Sequence, residues 1–117
     1  MTHEMVIEMA PFSLADGVNE AQMRAASERL ERESLASVPG YLGRILARRG
    51  EREYVDIVLW RSQEDAERMI EVARTSAVCA SYFSCMQIDA TGDPGESVTH
   101  LPVLRTYGRL TVVSAAD

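Results

Sequence analysis

Apolar residues along this chain alternate with a period of two in three stretches and recur at three- and four-residue intervals in two others. In Met5 to Phe12, Met5, Ile7 and Met9 share one face while Val6, Glu8 and Ala10 share the other. Such alternation predicts a strand, and Glu8, its only charge, leaves both faces largely apolar. Asp16-Gly17 has the chemistry of a turn. From Asn19 to Ala36, Met23, Ala26 and Leu30 recur at i, i+3 and i+7, which predicts an amphipathic helix with Asn19 as its N-cap. Glu20 with Arg24 and Glu28 with Arg32 are i,i+4 pairs, so the outer face is a solvated one. Pro39-Gly40 redirects the chain. Tyr41 to Arg49 and Tyr54 to Trp60 then predict a second and a third strand, joined by the polar turn Gly50 to Glu53 as an antiparallel hairpin.

The third strand runs into a second helix. Ser62 is its cap, Asp65 holds the acidic position of a capping box, and Glu64 and Asp65 suit the positive end of the helix dipole. The helix is expected to reach Arg74, with a break at Thr75-Ser76 and a short helical piece over Ala77 to Ser84. Gln87 to Ala90 predicts a fourth strand, Thr91 to Gly95 a loop, and Val98 to Val103 a fifth strand whose Pro102 suits a sheet edge. The order β-α-β-β-α-β with one extra strand predicts an α+β, ferredoxin-like domain with both helices on one face of an antiparallel sheet. The whole chain, 1–117, reads as a single domain, with a core over about 5–104 and a tail over about 105–117. Both faces of the third strand are apolar enough to be covered, and one helical layer covers only one. Dimerisation through the sheet faces is the simplest remedy.

Charge and composition narrow the partners. The net charge is −6, which argues against nucleic acid and against an anionic membrane surface. No apolar run approaches the length of a membrane span. Met1-Thr2-His3-Glu4 lacks the character of a secretory signal, so the protein is expected in the cytoplasm. Cys79 and Cys85 are then expected reduced and buried, and neither His3 nor His100 lies at metal-ligand spacing from them, so no metal site is expected.

The strand ending Val58-x-Trp60-Arg61-Ser62-x-Glu64-Asp65-Ala66, the Val38-Pro39-Gly40-Tyr41 turn and the element order resemble the antibiotic biosynthesis monooxygenase superfamily over about residues 5 to 90. Ser76-x-x-Cys79-x-x-Tyr82-Phe83 and Ser97 to Leu101 resemble a bacterial branch of small proteins within it. The resemblance implies a dimeric α+β barrel, formed where two sheets meet, and a cavity in each subunit between sheet and helices. It implies binding of a small apolar or aromatic molecule. It also implies quinone-forming oxygenation without metal or flavin, the substrate itself being the reductant.

The family's oxygenases carry a tryptophan at the end of the third strand, matched by Trp60. Four residues earlier, where they carry asparagine, this chain has Asp56. A carboxylate cannot donate a hydrogen bond to an oxyanion as an amide can. It can act as a base if its pKa is raised. The tyrosine of those enzymes at the start of helix two falls on Ala66. The haem-degrading members take a ligand histidine from the region matching Ser76 to Met86, which contains none here.

The candidate catalytic residues are thus Asp56 and His100, an imidazole being a side chain that changes charge near neutral pH. Trp60, Tyr54, Tyr82 and Phe83 are candidates for the ligand wall. Each has a structural alternative: Trp60 as core, Asp56 paired across the hairpin with Arg44 or Arg48, His100 as a satisfied strand residue. The leading reading is a cofactor-independent monooxygenase acting on an aromatic or polyketide-like substrate. The alternatives are a proton-transfer isomerase and a non-catalytic ligand-binding dimer.

Overall fold

The computed structural model describes residues 4–87 and 98–110. Within them the chain runs β1 (Val6–Ser13), α1 (Glu20–Glu33), a 3-10 turn (Leu35–Ser37), β2 (Tyr41–Gly50), β3 (Glu53–Trp60), α2 (Gln63–Ala73), α3 (Ala77–Phe83) and β4 (Thr99–Pro102). The four strands form one antiparallel sheet in the order β2-β3-β1-β4. This is the expected α+β, ferredoxin-like arrangement.

The helix ends lie where the polar caps sit. Asn19 accepts from the Gln22 amide, and the Gln22 side chain accepts from the Asn19 amide, a complete capping box. The helix stops at Glu33 rather than Ala36, and the next residues tighten into the 3-10 turn. Ser62 caps α2 and Ser76 caps α3, so the break at Thr75-Ser76 is the start of a new helix.

At the end of the sheet, the last strand among the described residues is Thr99–Pro102, inside the stretch expected as the fifth. Of the stretch expected as the fourth, Gln87 donates to the Ser13 carbonyl beside an isolated bridge between Leu14 and Met86; residues 88–90 lie outside the described residues. Both segments align on the same edge of β1, Met86 at its far end and Thr99 to Pro102 opposite Met9 to Val6. β4 is therefore an edge strand, and Pro102 closes it.

Strand alternation sorts the side chains into two faces. Val6, Glu8, Ala10 and Phe12 of β1 stand opposite Trp60, Val58, Asp56 and Tyr54 of β3. Every second residue of β3, from Tyr54 to Trp60, is buried. This inner face packs with Met23, Leu30, Met69, Cys79 and Tyr82 into the core beneath the helices. The outer face carries Ile7, Met9, Val55, Ile57 and Leu59, all partly exposed, with Ile45 54% and Leu101 46% exposed. Among the described residues no helix is long and apolar enough to cross a membrane.

Candidate functional site

The inner face of the sheet holds an unusual amount of polar chemistry for a core. Asp56 sits at the middle of β3 with its side chain only 8% exposed. Of the two arginines offered by the hairpin, Arg44 is the one that pairs with it, Nη1 lying 3.1 Å from Oδ2. The Tyr82 hydroxyl, from α3, donates to the same oxygen at 3.0 Å. Arg44 is equally buried; its Nη2 donates to Ser27 Oγ at 2.7 Å and to the Ser27 carbonyl at 2.8 Å. Its guanidinium also lies over the Tyr82 ring, 5.6 Å from the centroid. Burial pushes the Asp56 carboxyl above its ordinary range, and the Arg44 charge and the two hydrogen bonds pull it only part of the way back.

Two buried polar atoms on this face have no hydrogen-bond partner among the described residues: Asp56 Oδ1 and Trp60 Nε1. They stand four residues apart on one strand, so they share a face. One is an acceptor and the other a donor. Unpaired buried polar groups are costly and rare in folded proteins, which makes two on one face informative.

Glu8 and His100 form a second polar pair. Glu8 Oε1 lies 3.2 Å from His100 Nε2, and both side chains are 18% exposed. Burial raises the Glu8 carboxyl, more than its contact with His100 lowers it. The Trp60 indole lies close enough to lower the Glu8 pKa a little, without a hydrogen bond of acceptable geometry. A carboxyl whose pKa is raised on folding adds stability below its unfolded pKa, and that stability is lost as the pH climbs through the folded value. Glu8→Gln is therefore expected to melt close to the parent at pH 4 and a few degrees above it at pH 8. Thermal melts at the two pH values check this; an equal difference at both would contradict it.

The structure brings most of the sequence-predicted residues to this face but groups them differently. Asp56 and Tyr82 touch, Phe83 packs on Tyr82 at 6.3 Å between ring centroids, and Trp60 is 1% exposed. Tyr54 belongs to the other end: its ring stacks on Phe12 and its hydroxyl donates to Glu20. His100 meets Glu8 rather than Asp56. Arg44, Ser27 and Glu8 were not singled out as site residues. The one available signal was Glu8, a lone charge in an otherwise apolar strand.

A groove of about 390 Å³ opens between α1 and the β2 edge, lined by Ser27, Glu31, Tyr41, Arg44 and Leu46 among others. Tyr41 donates to Glu31 at 2.6 Å and meets Trp60 edge-on, 5.7 Å between ring centroids. Arg44 thus faces the groove and holds Asp56 behind it.

This architecture has close parallels among solved structures. A protein from Caulobacter crescentus, provisionally described as an antibiotic biosynthesis monooxygenase, superposes with a TM-score of 0.66 at 18% identity, over 88% of this chain and 92% of its own. SnoaB, a cofactor-independent oxygenase from Streptomyces nogalater solved as a point mutant, gives 0.65 at 15% identity over 88% and 96%. This is the fold of the antibiotic biosynthesis monooxygenases. The haem-degrading protein Rv3592 of Mycobacterium tuberculosis shares it too, at 0.58 and 19% identity over 92% and 99%. No protein-family model matches the sequence, and no curated protein does. At these identities the antibiotic biosynthesis monooxygenase likeness is one of fold.

Proposed function

We propose that this protein is a cytoplasmic homodimer that binds a small aromatic or polyketide-like molecule between sheet and helices and oxygenates it without a cofactor. The observation that carries the reading is the pair of unpartnered buried atoms, Asp56 Oδ1 and Trp60 Nε1. A hydroxy-aromatic ketone offers one donor and one acceptor and satisfies both. Trp60, Tyr82 and Phe83 are placed to supply the aromatic wall, and the groove lies next to them, with Tyr41 against Trp60 and Arg44 over Tyr82. Tyr54, tied to Glu20, shapes the far end. The partly exposed apolar outer face of the sheet supports the dimer. The fold neighbour SnoaB, a cofactor-independent oxygenase, supports the reaction class.

The chemistry is an oxidation by dioxygen. A ring C–H or O–H of the substrate gives up its proton to a base, and the electron pair stays on the substrate. Dioxygen then takes electrons from that anion. For a methylene carbon, one oxygen atom becomes the new carbonyl and the other leaves as water. The protein orients the substrate and moves protons, which are contributions of position and electrostatics.

Trp60 is the only tryptophan and therefore a built-in reporter. Anaerobic titration with hydroquinones, anthrones, flavonoids and haem is expected to quench its fluorescence saturably with one aromatic class. Admitting air should then give substrate-dependent oxygen uptake that survives chelation. Binding without turnover would support the non-catalytic dimer instead. Turnover without oxygen uptake would support the isomerase. No response to any of the panel would defeat the binding reading itself.

A further inference from the structure

We infer that Glu8, backed by His100, is the residue that takes the substrate's proton, and that Asp56 is a fixed orienting group. The inference rests on the oxygenase reading above and assigns a role within that site.

Both carboxyls lie on the inner face, Glu8 opposite Val58 and Asp56 opposite Ala10, so they occupy diagonal positions on neighbouring strands. Their surroundings differ in charge. Asp56 is matched by Arg44, which also pairs with the more exposed Glu31 at 3.6 Å. A proton added to Asp56 surrenders its ion pair with Arg44 and the Tyr82 hydrogen bond to the same oxygen, so these contacts oppose the transfer. The charged or titratable groups that face Glu8 are His100 from β4 and, at longer range, Asp56 from β3. Among the described residues Glu8 meets no arginine and its ionisable contact is the His100 imidazole, so a proton added to Glu8 surrenders no arginine ion pair.

Geometry adds two points. Val6 pairs with Trp60 and Glu8 with Val58, so Glu8 and Trp60 are diagonal neighbours on the inner face and a substrate oxygen bonded to the indole is placed near the acceptor. His100 stands on the edge strand and is partly exposed, so it links Glu8 to solvent. In the step, the substrate's O–H or activated C–H bond breaks and its electron pair remains on the substrate. The proton adds to Glu8 and leaves through His100 to water, while Asp56 and Arg44 keep their bond.

The probe is 1,8-dihydroxyanthrone, whose anion absorbs visible light, mixed anaerobically with the dimeric protein. Trp60 quenching reads binding and visible absorbance reads ionisation. Glu8→Gln should bind with an affinity within about threefold of the parent and ionise the bound probe at least about 100-fold more slowly. His100→Gln should slow ionisation in a pH-dependent way, with partial rescue by added imidazole. Asp56→Asn should weaken binding of the probe, read as Trp60 quenching, and slow ionisation no more than that weaker binding accounts for. Glu8→Gln ionising normally, or Asp56→Asn carrying the loss while still binding, would overturn the assignment. Binding with no ionisation by the parent protein would also overturn it and leave the binding reading intact. Failure of every ligand in the panel to bind would remove both. Thermal melts separate misfolding from loss of function: Glu8→Gln introduces no buried charge, whereas Asp56→Asn breaks the buried pair with Arg44 and is expected to melt lower.

Discussion

Gly40→Ala is expected to be the most damaging single-methyl change in this protein, lowering stability by about 3–5 kcal/mol and the melting temperature by roughly 10–20 °C. Two penalties coincide there. Gly40 has a φ of +86°, in the left-handed region that a side chain resists. A methyl built on it would also sit inside the Asp65 carboxyl. Asp65 has little room to move: its side chain is 4% exposed, bonded to Ser62 Oγ at 2.8 Å and Arg68 Nη1 at 2.7 Å, and paired with Arg61. Burial alone would raise its pKa, but the bonds from Arg61, Ser62 and Arg68 outweigh that and hold the carboxyl below its usual range. The Gly40 carbonyl also accepts from the Arg61 amide, so the turn after α1 is clasped to the start of α2. Gly17→Ala is the control. Its φ is +82° but nothing lies near its missing Cβ, so it should cost only the backbone strain, about 1–2 kcal/mol. Circular-dichroism melts decide: if the two variants fall equally, the Asp65 contact contributes nothing.

Arg44→Met should come next, at about 3–5 kcal/mol, because it leaves the Asp56 carboxylate buried without its cation. Replacing both members, as Arg44→Met with Asp56→Leu, should recover most of that loss, since apolar side chains of similar size need no counter-charge. The sign of the pH dependence follows from Asp56. Its folded pKa is already raised by burial, and removing Arg44 takes away the charge that most opposes the rise. A raised carboxyl contributes stability below its unfolded pKa and loses it as the pH rises through the folded one. The single variant should therefore lie closer to the parent near pH 4 than at pH 8. Urea midpoints at both pH values, with unchanged slopes, measure this. A double variant no more stable than the single one would show that Arg44 acts through packing over Tyr82 and Ser27.

Much of the fold was legible because local signals agree with one another. The caps at Asn19 and Ser62 each mark a real helix start, the break at Thr75-Ser76 is where α3 begins, and the alternation from Tyr54 to Trp60 matches the buried and partly buried positions of β3. The sheet's last strand was less legible. Gln87 to Ala90 and Val98 to Val103 both have strand character; Thr99–Pro102 pairs with β1, and residues 88–90 lie outside the described residues. The site was half legible. Asp56, Trp60 and Tyr82 follow from position on known elements. That Arg44 rather than Arg48 meets Asp56 depends on register: Arg44 turns inward beside Ser27, while Arg48 reaches Glu20 at the far end. That His100 meets Glu8 depends on a pairing between residues 92 positions apart. Alternation along one strand carries no information about such a partner.

The strand order also fixes a sequence of events during synthesis. The β2–β3 hairpin joins residues near in sequence and is free to close early, whereas β1, made first, waits for β3 and then for β4. A chain emerging N-terminus first therefore holds one edge of β1, with the Glu8 carboxyl on it, uncovered until Thr99–Pro102 leaves the ribosome. The Glu8–His100 pair is assembled last, so a nascent or truncated chain can be nearly folded and still lack it.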